Sequence, residues 1–78
     1  MNRKWQDRIQ VNLDIHHGDP CIKGTRIPVF VVVGSLADGM TLEQVQEEYP
    51  QLTKEDVYAA LAYAAEMVHQ DILLPLSI

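Results

Sequence analysis

His16, His17, Asp19 and Cys21 gather, within six residues, the side-chain types that bind transition metals and that make nucleophile–base pairs. A zinc site would need such donors to converge on one point. Adjacent histidines on an extended chain point to opposite sides, and the spacing matches no ladder of metal ligands. A Cys21 nucleophile would need a histidine as base, a third group to orient it and a pocket that buries a substrate. A chain of 78 residues leaves little room for that pocket. The residues therefore point away from a metal, a cofactor and catalysis. The histidines decorate a turn, and Cys21 reads as a small buried side chain.

The cluster Lys23-Gly24-Thr25-Arg26 has a different potential. A hairpin presenting Lys23 and Arg26 can contact phosphate, because guanidinium offers a forked set of donors to two oxygens. Arg26 can equally pair with Glu47 or Glu48 and hold the domain together, and we favour that reading. The charge distribution sharpens the question. Residues 1–27 carry Arg3, Lys4, Arg8, Lys23 and Arg26 against Asp7, Asp14 and Asp19, a net of +2. Residues 28–78 carry Lys54 against Asp38, Glu43, Glu47, Glu48, Glu55, Asp56, Glu66 and Asp71, a net of −7. The two halves face different partners, or each other.

Several elements must position these groups. Ile9, Val11, Leu13 and Ile15 alternate with polar residues, which predicts a strand over 9–15 with one face buried. His16 to Pro20 is a turn, and Lys23-Gly24 closes a tight hairpin with Gly24 at positive φ. Pro28 to Gly39 is ambiguous: Val31, Val32 and Val33 favour strand, whereas Val29, Val32, Val33 and Leu36 fit one helix face. Pro28 at a first helical position and Gly39 just past the end favour helix. Thr41 and Gln44 form a capping box for a short helix that Pro50 stops. Thr53 and Asp56 repeat the device for a helix to about Gln70, with Val57, Leu61, Ala64 and Val68 as its apolar stripe. Ala59, Ala60, Ala62, Ala64 and Ala65 reflect either helix propensity or close approach of another helix. The fold class is α+β, with short N-terminal β-strands and a hairpin followed by a three-helix, helix-turn-helix-like bundle. Residues 1–70 form one domain, and 71–78 an apolar tail. The single cysteine and the lack of any apolar signal or membrane span predict a reducing, cytoplasmic setting.

The stretch from His17 through Gly18, Pro20, Ile22, Gly24, Thr25, Arg26 and Pro28 to Val29 resembles the family called domain of unknown function 433. Ala37 to Thr41, Tyr49 to Thr53 and Ala60 to Tyr63 extend the similarity, which spans about residues 9–68. The resemblance implies a helix-turn-helix-like fold and a role as an antitoxin, commonly paired with a small toxin of the PIN-like ribonuclease type. Phe30, Val31 and Val32 are apolar where members of that family often carry mixed polar residues, which predicts a homodimer through this face.

Three further expectations follow. Lys54, Glu55 and Asp56 open the last helix, so it is a poor reader of DNA, whose affinity comes largely from counterion release. DNA contact is expected instead from Arg3, Lys4, Arg8, Lys23 and Arg26. The tail residues Ile72, Leu73, Leu74, Leu76 and Ile78 are too apolar to leave in water and are expected to bind the toxin partner, as a strand added to its sheet edge.

Overall fold

A computed structural model of the chain describes residues 5–11, 14 and 18–72, the last three as backbone alone. A single 3₁₀ turn at Trp5–Asp7 leads into β1 (Ile9–Val11), which pairs antiparallel with β2 (Pro20–Ile22). Ile9 lies opposite Ile22, Gln10 opposite Cys21, and Val11 opposite Pro20. The strand is shorter than its alternation suggests. Pro20 has no N–H with which to continue the ladder, and Asp14 already lies in a turn. Positions 12, 13 and 15 of the expected strand are outside the described residues. Ile9 is buried while Val11 is exposed, so the core reaches β1 only at its first residue.

The expected hairpin follows β2. The Thr25 N–H donates to the Ile22 carbonyl at 3.0 Å with Gly24 at φ 78°, the pattern of a type II turn. The chain then returns, as the Ile22 N–H donates to the Ile27 carbonyl at 3.0 Å and Cys21 bridges to Pro28. Thus β2 is paired on both sides, with β1 along one and the 27–28 segment along the other.

Three helices complete the chain: α1 (Val29–Ala37), α2 (Leu42–Glu48) and α3 (Lys54–Ile72). Pro28 is the N-cap of α1, not its first helical residue, because its ψ of 147° is extended and its backbone belongs to the bridge with Cys21. At the other end Gly39 sits at φ 103° and donates to the Leu36 carbonyl, while the Met40 N–H donates to the Ser35 carbonyl. These paired bonds are a Schellman stop. The reciprocal Thr41–Gln44 bonds open α2 at 2.8 and 3.1 Å, and the Thr53–Asp56 bonds open α3 at 3.0 and 3.1 Å. Each cap contributes about 1 kcal/mol. The helix α3 continues two residues beyond its expected end, to Ile72.

The core joins Ile9, Ile22 and Ile27 to Val29 and Val32 of α1, Val45 of α2, Leu52, and Val57, Ala59 and Ala60 of α3. The inward face of α3 is not the one its apolar spacing suggests. Val57 is buried, but Leu61 is 38% and Val68 56% exposed. Asp56, Ala59, Ala60 and Tyr63 face inward instead. The N-terminal segment binds polar and aromatic side chains of that face, against which α1 and α2 also pack. Ala59 and Ala60 allow the close approach, whereas Ala65 is exposed.

Candidate functional site

Most of the Gly18–Pro28 motif is spent on its own backbone. Gly18 and Gly24 hold φ values of 91° and 78°, Pro20 ends the ladder, and Cys21, Ile22 and Ile27 are buried. The Thr25 hydroxyl donates to the Ile22 carbonyl at 2.8 Å and accepts from the Ile27 N–H at 3.0 Å, clasping the turn from inside. Asp19, Lys23 and Arg26 are left exposed.

Cys21 is 1% exposed and its Sγ lies 3.4 Å from the Asp19 carbonyl oxygen, which can accept from the thiol. Burial, and then the Asp19 carboxylate, push its pKa up. The thiol therefore stays protonated near neutrality, which suits packing and not nucleophilic attack. His16 and His17 lie outside the described residues. Among the described residues no three His, Cys, Asp or Glu side chains gather where a metal could be held.

An open groove of about 460 Å³ runs beside the turn, lined by Gln10 of β1, Gly24, Thr25 and Arg26 of the turn, and Gln51 between α2 and α3. It is the meeting point of the hairpin with the helix–turn–helix. Its lining offers a guanidinium and two carboxamides, groups that bind phosphate or carboxylate oxygens. Of the other cations expected to touch DNA, Arg3 and Lys4 lie outside the described residues. Arg8 has a separate task, since its Nη1 donates to Asp56 Oδ1 at 3.0 Å. That same carboxylate caps α3, so Asp56 points inward, away from any nucleic acid docked on the start of the helix. Lys54 and Glu55 remain exposed there.

Sequence reasoning passed over Trp5. Its Nε1 donates to Glu66 at 2.7 Å, and its ring meets that of Tyr63 edge to face at 4.8 Å. With Arg8–Asp56 this fastens the N-terminal segment along α3 at positions 56, 63 and 66, one helical face. The lone tryptophan preceding a strand was the available signal. The helices also expose Phe30, 64%, and Tyr58, 54%, besides Leu61 and Val68. The tail residues 73–78, including Leu73, Leu74, Leu76 and Ile78, lie outside the described residues, and of Ile72 only the backbone is placed.

A crystal structure of a DUF433 member from Anabaena variabilis is similar to this chain at a TM-score of 0.73 and 32% identity, covering 88% of this chain and 71% of that one. An uncharacterised protein of Sinorhizobium fredii, y4eO, is 41% identical over 51 residues, 65% of this chain. The match spans only 23% of that longer relative. The model of the family described as protein of unknown function, DUF433, matches residues 9–64, from the first paired strand into the middle of α3. The chain is a member of the DUF433 family.

Proposed function

We propose that this chain is a cytoplasmic antitoxin that binds and silences a PIN-like ribonuclease toxin and represses its own operon. One observation carries the reading: a helical half of net charge −7 exposes Phe30, Tyr58, Leu61 and Val68 to solvent. Exposed large apolar side chains beside like charges suit a basic, partly apolar protein surface, such as the RNA-binding face of a nuclease. The apolar tail supplies the anchor, as an added strand or a groove-filling segment. Such a nuclease depends on carboxylates and a divalent metal, so covering its site is sufficient inhibition. Co-expression with the adjacent reading frame tests the reading. The expected result is a co-purified complex in which RNA cleavage is suppressed, and a neighbour that neither binds nor cleaves RNA sinks it.

The groove beside Arg26 favours a second reading, a stand-alone DNA-binding regulator. In that case charge reversal at Lys23 or Arg26 should weaken binding to the chain's own promoter and flatten its salt dependence, while Lys54→Ala does little. The opposite ranking would make the start of α3 the reader.

A further inference from the structure

The groove beside the turn is walled by three separate parts of the chain, and its donors are largely unspent. Gln10 comes from β1, Gly24, Thr25 and Arg26 from the turn, and Gln51 from the link between α2 and α3. Among the described residues, the Gly24 N–H and the Gln10 and Gln51 carboxamides have no hydrogen-bond partner. Gly24 has open space where a side chain would stand, so a ligand atom can reach its backbone. Arg26 is exposed, and its five N–H donors can serve a ligand besides the interaction it already makes. Thr25 is the exception, because its hydroxyl is committed to Ile22 and Ile27.

Donors of this kind call for an oxyanion. The lining carries one cation and no acid, which matches the single charge of a phosphodiester better than the larger charge of a phosphate monoester. Donors on the hairpin and on the α2–α3 link approach from more than one side, which suits the tetrahedral spread of phosphate oxygens. A planar carboxylate would be satisfied by the guanidinium fork alone. The lining has no aromatic ring on which a base could stack, so it is fitted to the backbone of a nucleic acid and not to its bases. We propose that this groove seats one phosphodiester of a DNA strand, a sequence-independent contact that orients the strand on the helix–turn–helix. The proposal rests on the DNA-binding reading above and names the part of the DNA that the groove holds. A net charge of −5 repels a polyanion, so affinity for DNA has to come from local seats such as this one.

Nitrogen-15 NMR of the full chain tests the assignment, with titrations of dimethyl phosphate, acetate, the chain's own promoter duplex and a scrambled duplex. The expected result is that the Gly24 amide and the Gln10 and Gln51 side-chain amides shift with dimethyl phosphate and with both duplexes, but not with acetate. Gln51→Glu, at an exposed position, sets a carboxylate in the groove and should weaken both duplexes by the same factor, about tenfold. Arg26→Gln should do likewise and lower the salt slope by about one. If circular dichroism shows that Arg26→Gln has not folded, Gln51→Glu still decides the matter. Groove amides that stay still while the duplexes bind overturn the seat but leave the DNA-binding reading standing. Failure of both duplexes to bind overturns the two together, and dimethyl phosphate alone is then bound only at titration concentrations. A loss confined to the promoter duplex would make the groove a reader of bases, and an equal response to acetate would assign it to an acidic peptide. Either result overturns the proposal.

Discussion

Thr25 and Cys21 show how side chains that could have carried chemistry are committed to the turn instead. Thr25→Val keeps the volume but removes both hydroxyl bonds, leaving the Ile27 N–H without its acceptor. A loss of about 1–3 kcal/mol is expected in urea unfolding, with unchanged far-ultraviolet dichroism. An unaltered midpoint would mean that solvent replaces the hydroxyl at no cost. For Cys21 the raised pKa fixes a sign. The unfolded thiol ionises near its ordinary value of about 8.5, while the folded thiol holds its proton to higher pH. Cys21 thus favours folding below that value and loses its contribution as pH rises from there towards the folded pKa. Stability measured from neutral to alkaline pH should fall more steeply in the wild type than in Cys21→Ala, and equal slopes would contradict the burial of the thiol. Native Cys21 should also resist alkylation that the unfolded chain undergoes readily.

The elements are short, and their termini do much of the specification. Asp56 is the joint among them: its carboxylate caps α3 through the Thr53 N–H and receives Arg8 from the N-terminal segment. Asp56→Ala removes both and should cost about 2–3 kcal/mol, more than a cap alone. Arg8→Ala removes only the half-exposed partner and should cost about 1 kcal/mol or less. A double-mutant cycle between Arg8 and Asp56 separates the two contributions. If Arg8→Ala instead left stability intact and abolished promoter binding, Arg8 would serve DNA contact more than the clamp. Trp5 offers a direct reading of the same clamp, because its emission reports the contact with Tyr63 and Glu66.

At the scale of the molecule, the question is how a chain with a small core disposes of its remaining apolar surface. Among the described residues, ten buried side chains from Ile9 to Ala60 form the core cluster. On the proposed antitoxin reading, in which the tail serves the partner and not the core, truncation after Ile72 should leave the dichroism and the unfolding midpoint close to those of the full chain while ending toxin neutralisation. Loss of the fold on truncation would place the tail in the core, and the toxin would then have to be held elsewhere. The basic hairpin side and the acidic helical side meet at Arg8–Asp56, so part of the charge asymmetry is used internally.

Local chemistry made the elements legible from residues alone. Thr41 with Gln44 and Thr53 with Asp56 announce helix starts because a hydroxyl and an acceptor three residues apart satisfy each other's backbone. Gly24 and Gly39 announce a turn and a stop because positive φ costs other residues more. These signals are short-range, so they survive without knowledge of the fold. The tertiary structure alone decided which face of α3 turns inward, since Val57, Leu61, Ala64 and Val68 form as regular a stripe as the positions that are buried. Periodicity gives the width of an apolar face, but its direction depends on what packs against it. Here Trp5 and Arg8 meet Glu66 and Asp56, at least 48 residues away in sequence, on the face that α1 and α2 also pack against, and Leu61 and Val68 are left outward. Long-range packing also set Arg8 against Asp56 and brought Gln10, Arg26 and Gln51 around one groove, a grouping that no spacing along the chain encodes.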